Sequence, residues 1–432
     1  MARVSRLAGA SIESPTPTSV EGSAAGAVGP TSGTRRRLDH IDAMRPVKQA
    51  AVISTHALIF FAPLATSATV VGLIMLTRFA RDAFLFVSAC MLAYSYRSAP
   101  RVDLGRYAWR RFMAVGVPYL TWTVIYYLFT SAAATSTFPY YTFRGTGVLS
   151  GAGAAHFVHL LWTGYYQLYY LIVIMEFYVI FPFLLALLRR AARWHRAILV
   201  GAVVCQLAYG VLVSVHPFGV HLSGMEQTRL IVSYPAYLVG GVIVALHLDE
   251  AHRWIVTHAR AIVLFTMAGI LVAEVASYLD RFRAWPLYLH TGNMVFAPLA
   301  VPYNVGMILC VYLLGVHLVS PRRTEWARAA VQSGSDNSYG VYLSQLIWIP
   351  LLVRLVHAAN WHVPWPVAAP AALVIVYGTG FVFTAVMART PLAKGVTGRS
   401  RASWSTLWPR RRPGRFTLRG DVGDGPMDVV SE

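Results

Sequence analysis

Residues 45–61 read RPVKQAAVISTHALIFF and form the first stretch of the chain that is apolar over nearly the length of a membrane-spanning helix. Arg45 and His56 lie eleven positions apart, so a helix brings both side chains to within about 20° of one face. About 16 Å of helical rise separates them. Arg45 follows a basic segment and precedes Pro46, which places it at the membrane rim, whereas His56 lies about halfway through the bilayer. An ionisable side chain at that depth is costly and points to a functional site.

The composition of the chain is that of a membrane protein. Its 432 residues are 56% hydrophobic and only 13% charged, whereas soluble domains carry about 25% charged residues. Apolar runs of about 20 residues recur along most of the length, which predicts an all-α fold, a polytopic bundle of membrane-spanning helices. The net charge of +19 does not indicate a nucleic-acid partner, because the arginines cluster in short loops and tails between the apolar runs.

The apolar runs predict about ten spans, with basic residues in alternate loops. The predicted spans are 47–66, 70–96, 108–130, 166–188, 197–214, 229–247, 258–279, 294–318, 337–357 and 367–387. By the positive-inside rule, the basic segment before the first span and the basic loops after the second, fourth and eighth face the cytoplasm. Both termini are therefore expected to be cytoplasmic. Part of the aromatic loop 131–165, on the opposite side, is expected to form an interfacial helix.

The two ends of the chain differ from its middle. Residues 1–37 and 391–432 lack periodic apolar residues, so both are predicted to be disordered tails, the second of them basic. Residues 38–390 are then a single transmembrane domain. The chain contains no P-loop, dinucleotide fingerprint, zinc-ligand spacing or G-x-S-x-G elbow, so no permanently bound cofactor and no metal are expected.

The stripe of the first span that carries Arg45 also carries Gln49 and His56. Val52 interrupts it with a stiff apolar side chain, so any room beside His56 must come from the facing helices. A neutral imidazole inside a membrane is well suited to taking a proton from a hydroxyl group. The alternative is a histidine that is hydrogen-bonded inside the bundle for packing alone.

Charged residues also occupy the starts of the second and third spans. Arg78 and Asp82 have the i, i+4 spacing of a helical ion pair, which suits either an interfacial salt bridge or a substrate site. Arg106, Arg110 and Arg111 lie at the cytoplasmic start of the third span. Their guanidinium groups match the geometry of phosphates, although arginines are also ordinary flanks of a span at this position.

Glu176 is buried near the middle of the fourth span, at a depth similar to that of His56. A carboxylate there is able to orient an imidazole, or it pairs structurally with an arginine. Contact between Glu176 and His56 is therefore a hypothesis that the fold must test.

Taken in order, these segments resemble the acyltransferase family 3 membrane proteins, which include bacterial O-acetyltransferases and succinyltransferases of surface sugars, peptidoglycan and antibiotics. Arg45 and His56 match the family's pattern of an arginine, ten residues and a histidine. The other similar segments are RFARDAFLFVSACMLAYSY (78–96), WRRFMAVGVPYLTW (109–122), YYLIVIMEFYVIFPFLL (169–185) and DNSYGVYLSQLIWIP (336–350). The resemblance extends over about residues 36–390.

Three positions depart from the family pattern. Ala89 follows Ser88 where the family has a Ser-Gly pair, and Ala114 stands where a second arginine is frequent. Gln345 occupies a position where a histidine is common. The RFAR and EFYVIFP segments also resemble a branch that contains exopolysaccharide-export proteins.

The resemblance implies an acyltransferase, for groups other than aminoacyl groups, embedded in the bacterial plasma membrane. Acyl-CoA would be the co-substrate and acetyl the expected acyl group. The acceptor would be a hydroxyl of a cell-surface or exported carbohydrate or of a glycolipid. The roles implied are catalysis by His56 as general base with Glu176, donor binding by Arg45, Arg110 and Arg111, and substrate binding by Arg78 and Gln49. The alternative is a polysaccharide exporter without acyl transfer.

Overall fold

Each apolar run predicted to span the membrane contains a helix in the structure, a computed structural model that describes residues 38–63, 68–99, 101–132, 150–215, 228–281 and 300–403. Helices account for 86% of the described residues, which contain no strand. These residues all belong to the compact unit Leu38–Glu432. The all-α prediction is confirmed.

Fifteen α-helices lie within the described ranges, and we number them in chain order. They are α1 (Asp39–Asp42), α2 (Met44–Phe61), α3 (Ala68–Tyr96), α4 (Leu104–Arg111), α5 (Val117–Ala132), α6 (Gly151–Thr163), α7 (Tyr169–Arg190), α8 (His195–Val215), α9 (Pro235–Leu246), α10 (Leu248–Thr257), α11 (Ala259–Arg281), α12 (Ala300–Leu318), α13 (Glu325–Ala358), α14 (Trp365–Met387) and α15 (Ala393–Thr397).

Six of the described helical segments are long and apolar enough to cross a membrane, or seven if the bent pair α10 and α11 counts as one span. Helix α3 has the length but carries three charged residues, Arg78, Arg81 and Asp82. Helix α9 is apolar but has only 12 residues. The ten predicted spans and the cytoplasmic termini are therefore not confirmed by length and composition.

Several helix boundaries have a local cause. The Thr324 side chain accepts a hydrogen bond from the backbone N–H of Ala327 at 3.2 Å and begins the 34-residue α13. The Ser150 side chain does the same for Gly153 at 3.0 Å and begins α6. Such caps satisfy backbone donors that the first turn leaves free. Helix α6 lies within the predicted loop 131–165, so a helix there is confirmed; residues 133–149 lie outside the described residues.

The chain bends where the sequence suggested one continuous span or a loop. A 3₁₀ turn, Ile231–Ser233, precedes Pro235, which begins α9. The segment after the sixth predicted span is not a loop but helix α10, and it meets the next helix at 76°. Helices α4 and α5 are joined by a π-helical turn, Phe112–Gly116. Such turns often occur at functional sites.

Helix α2 lies at the centre of the bundle, packed against α3, α13 and α14. Small residues allow close contacts between these and neighbouring helices. A side chain at Gly340 of α13 would collide with Thr384 of α14, and one at Gly241 of α9 would collide with the Phe86 carbonyl of α3. This packing surrounds the His56 stripe with other helices.

Part of the segment predicted as a C-terminal tail, 391–432, is helical. Helix α15 packs against α5, where Trp122 donates a hydrogen bond from its indole Nε1 to the Val396 carbonyl at 2.9 Å. The short segment lacks a long apolar repeat, so its order comes from this tertiary contact. The predicted tail 1–37 and residues 404–432 lie outside the described residues.

Candidate functional site

His56 lies inside the bundle with only 9% of its surface exposed. Its ring meets the ring of Tyr166 edge to face, with centroids 5.3 Å apart. The Gln345 side chain of α13 is within hydrogen-bonding reach of the imidazole. The Nδ1 atom of His56 is buried and has no hydrogen-bond partner in the described part of the chain. One ring nitrogen is therefore left available to a ligand.

A pair of buried amides lies beside His56. Gln49 donates from Nε2 to Oε1 of Gln345 at 3.4 Å, and both side chains are completely buried. Their other polar atoms, Gln49 Oε1 and Gln345 Nε2, have no partner among the described residues. Leaving a buried polar group unsatisfied costs about 1–3 kcal/mol, so several in one place indicate a ligand site. Gln49 and His56 thus lie on one face of α2, as predicted, and Gln345 of α13 and Tyr166 contact that face.

Tyr166 reaches His56 from an unusual backbone turn between α6 and α7. Its φ is +39° and that of Gly164 is +71°, and a side chain at Gly164 would meet the backbone of Tyr169. A non-glycine residue in the left-handed region costs about 1–3 kcal/mol and is found mainly at functional sites. Tyr166 was not predicted as a site residue, although the TGYYQ run at 163–167 indicates a turn.

Neighbouring side chains hold this turn in place. Tyr165 stacks on Tyr126 with ring centroids 4.8 Å apart. Gln167 donates from Nε2 to the Tyr126 hydroxyl at 2.9 Å, and the Tyr342 hydroxyl donates to the Gln167 carbonyl at 2.5 Å. Aromatic contacts and buried hydrogen bonds together rigidify such a turn. Tyr166 is therefore presented to His56 by a fixed support.

Arg78 lies on α3 at the depth of His56. The Thr55 and Thr77 hydroxyls are 2.7 Å apart, which joins the residue before His56 to the residue before Arg78. Tyr166, which contacts His56, is also an electrostatic neighbour of Arg78. The structure therefore brings the predicted substrate-binding Arg78 and the predicted base to one region.

The salt bridge between Arg78 and Asp82, one of the two alternatives that their spacing allowed, does not form among the described residues. Asp82 instead lies 3.4 Å from Nε of Arg81 through Oδ1 and accepts a 2.6 Å hydrogen bond from Asn304 through Oδ2. The Arg81 guanidinium also lies over the Tyr234 ring at 5.1 Å. The helical spacing would allow Arg78 to pair with Asp82. Asn304 of α12, however, binds the second carboxylate oxygen and holds the Asp82 side chain next to Arg81.

Arg45 and Arg111 converge at the first turn of α2. Arg45 lies 3.2 Å from Asp42, and the Arg111 guanidinium carbon lies 5.6 Å from the Tyr178 ring and 6.0 Å from that of Tyr107. Both arginines act electrostatically on Tyr178. The Nε of Arg111 is buried and has no partner in the described ranges. Two of the three predicted donor-binding arginines are thus together.

The other two arginines of α4 are exposed, unlike Arg111. Arg110 is exposed, and Arg106 is exposed with Asp103 3.8 Å away. Ala114, where the family frequently has an arginine, lies in the π-helical turn. Arg111 is therefore the α4 arginine that points towards the bundle.

Lys48 is a buried amine at this end of α2 that was not predicted as a site residue. It is 2% exposed, and its Nζ lies 4.1 Å from the centre of the Phe84 ring. Arg45 and Asp42 are its charged neighbours. The signal was available in the sequence, since Lys48 is one of only two lysines in the chain.

His40, on α1 next to this cluster, adds no charge at neutral pH. Burial, helped by His252 and opposed by Asp42, lowers its pKa to about 4. Arg45 and Arg111 therefore give this end of α2 a net positive charge beside Asp42.

Glu176 does not meet His56 within the described part of the chain. Its carboxylate takes a hydrogen bond from the backbone of Ile231, in the 3₁₀ turn before α9. The hypothesised contact with His56 is absent, so a catalytic role of Glu176 stays a prediction without that geometry to support it.

Comparison with known proteins gives a family match over most of the chain. The model of an acyltransferase family, described as an acyltransferase domain, matches residues 39–386. No curated protein and no solved structure matches the chain. The match includes α1 to α14 almost entirely, and with them every site residue described above. This polytopic helical membrane protein, with His56 and its buried amides at the centre, belongs to the acyltransferase 3 family.

Proposed function

We propose that the protein transfers an acyl group, most simply acetyl, from acyl-CoA to a hydroxyl of a cell-surface or exported carbohydrate. The observation that carries the proposal is the buried His56 imidazole. Its Nδ1 has no hydrogen-bond partner among the described residues, and the same is true of the neighbouring amide atoms Gln49 Oε1 and Gln345 Nε2. A base with a free nitrogen, next to a free buried N–H donor, is what attack of a hydroxyl on a thioester requires.

In this proposal the donor phosphates bind at the Arg45 end of α2. Guanidinium groups bind phosphate through paired hydrogen bonds, and the buried Nε of Arg111 has no hydrogen-bond partner in the part of the chain that the structure describes. We assign this end to the cytoplasm, where acyl-CoA is available, and the opposite end to the acceptor. The pantetheine arm then runs along the stripe towards His56.

The reaction follows from the groups around His56. The imidazole takes the proton of the acceptor hydroxyl as its oxygen attacks the thioester carbonyl carbon. The tetrahedral oxyanion accepts a hydrogen bond from Gln345 Nε2, whose amide is oriented by Gln49. The carbon–sulfur bond then breaks, and the imidazolium returns the proton to the departing thiolate. The products are the ester and free CoA.

Substituting Arg111 with leucine is expected to weaken binding of acetyl-CoA to the detergent-purified protein by about tenfold, since about 1.4 kcal/mol corresponds to that factor. Isothermal titration with acetyl-CoA measures the dissociation constant. The control is Arg322→Leu, which removes an exposed arginine from the loop between α12 and α13. Equal affinity of the Arg111 variant and wild type for acetyl-CoA would contradict this donor site. The same titration of Arg110→Leu reports whether that exposed arginine contributes to donor binding.

Substituting Gln345 with leucine is expected to lower the turnover rate by about 10- to 100-fold, because a hydrogen bond to a charged oxygen contributes about 1.5–3 kcal/mol. The rate of transfer from radiolabelled acetyl-CoA to cell-envelope fractions is the measurement. Gln345→His, which restores an N–H donor, should retain more activity than the leucine variant. Equal activity of both variants with wild type would remove the oxyanion role.

A further inference from the structure

Arg78 is a cation inside the bundle without a carboxylate beside it. Both oxygens of Asp82, the carboxylate one turn away on α3, are engaged by Arg81 and Asn304. Glu274 lies against Gly72, six residues earlier on the same helix, and it is not among the charges that act on Arg78. No ion pair of Arg78 occurs within the described ranges.

The two arginines of the RFAR segment, Arg78 and Arg81, therefore differ in whether a carboxylate lies beside them. Arg81 has its carboxylate and the Tyr234 ring, whereas the neighbours of Arg78 are Arg81, which repels it, and the neutral tyrosines Tyr166 and Tyr169. Even a partly buried cation such as Arg78 is costly inside a membrane protein when it has no counter-charge. A substrate that carries a negative charge would supply the missing counter-charge each time it binds.

The position of Arg78 relates that charge to the reacting groups. The bond between Thr55 and Thr77 holds Arg78 and His56 at one depth on adjacent helices, and Tyr166 lies next to both. A group bound to Arg78 thus lies beside the atoms on which His56 acts, on the side of α3 rather than at the Arg45 end.

We propose that Arg78 binds an anionic group, a carboxylate or phosphate, that the substrate carries close to the bond being formed. This inference rests on the acyl-transfer function proposed above. The anion has two possible sources. It is either the terminal carboxylate of a dicarboxylic acyl group such as succinyl, or an acidic group of the acceptor next to the acylated hydroxyl. In both cases the planar guanidinium forms paired hydrogen bonds with the anion.

The donor arm compares succinyl-CoA with butyryl-CoA, which has the same carbon chain without the carboxylate. Thermal unfolding of the purified protein with each thioester reports binding independently of turnover. If the anion belongs to the acyl group, wild type is stabilised more by succinyl-CoA and transfers it at least tenfold faster than butyryl-CoA. Arg78→Leu abolishes that preference, Arg78→Lys keeps part of it, and the exposed-site control Arg322→Leu keeps it all.

The acceptor arm uses the acylated product isolated from wild-type cells, from which mild base removes the ester. The recovered acceptor is offered with and without its acidic groups blocked by methylation. If the anion belongs to the acceptor, blocking raises the KM by about tenfold for wild type and has no effect on Arg78→Leu. At saturating acceptor, Arg78→Leu then retains most of the wild-type kcat, a separation that general damage to the fold would not produce.

Transfer of a neutral acyl group to a neutral acceptor, or an Arg78→Leu variant that equals wild type in both arms, would overturn the Arg78 proposal while acyl transfer stands. Absence of transfer from every acyl-CoA by wild type would overturn the acyl-transfer function and this inference with it. If Arg78→Leu does not fold, as judged by size-exclusion chromatography, Arg78→Gln, which is close in length and uncharged, takes its place in both arms.

Discussion

Replacing His56 with alanine is expected to reduce acyl transfer by about 10²- to 10⁴-fold, the range that a general base contributes. Binding of the donor and of the oxyanion is assigned to other residues, Arg45, Arg111 and Gln345. The affinity for the donor should therefore change little. The signature is therefore a collapse of kcat with a nearly unchanged dissociation constant for acetyl-CoA. Transfer of radiolabel to envelope fractions and titration with acetyl-CoA measure the two quantities.

The His56→Ala protein should remain folded and inserted in the membrane. The edge-to-face contact with Tyr166 contributes about 0.5–1.5 kcal/mol, which is small beside the stability of a large helical bundle. His357→Ala, an exposed histidine at the end of α13, is the matched control and should transfer at the wild-type rate. Near-normal transfer by folded His56→Ala would rule out His56 as the base and leave the packing interpretation.

Local pattern was sufficient to predict the helices and the polar stripe of α2. Helical periodicity depends only on spacing along the chain, so Gln49 and His56 could be assigned to one face before any tertiary contact was known. The same reasoning could not find the partner of that stripe. Gln345 is 296 positions from Gln49, and one sequence contains no record of which distant residues meet.

The errors have the same physical origin. An i, i+4 rule made Asp82 a partner for Arg78, but contacts with another helix decide which of two nearby arginines a carboxylate joins. Equal depth of Glu176 and His56 was predicted from span positions, yet depth does not specify rotation about a helix axis, and Glu176 points to Ile231. Tyr166 required a backbone conformation, φ of +39°, that propensity assigns mainly to glycine.

The tail after α14 was misjudged for a related reason. Its composition predicted disorder, but the Trp122 indole and α5 give the short helix α15 a surface on which to order. Burial against a partner helix outweighs weak intrinsic helicity over five residues. Composition thus predicts disorder for a segment that packs against nothing. It does not predict the order that a segment gains by packing against another helix.

Asp82 is expected to be the residue of this region whose loss most destabilises the fold. Asp82→Ala leaves Arg81 buried without its carboxylate, which costs about 3–5 kcal/mol when one partner of a buried pair is removed. The free energy of unfolding of the detergent-purified protein, from denaturant titration followed by circular dichroism, measures this. Asn304→Leu, which removes only the 2.6 Å hydrogen bond to Asp82, should cost less, about 1–3 kcal/mol.

The decisive comparison is between two double variants. Adding Arg81→Leu to Asp82→Ala removes the stranded charge and should recover about 2 kcal/mol of the lost stability, because replacing both members of a buried pair is far less costly than breaking it. Adding Arg78→Leu instead should recover little, since Arg78 does not contact Asp82 in the described structure. Recovery of stability by Arg78→Leu but not by Arg81→Leu would show that Asp82 pairs with Arg78. Arg78 would then have its counter-charge within the protein, and the reason to expect an anionic substrate would be removed.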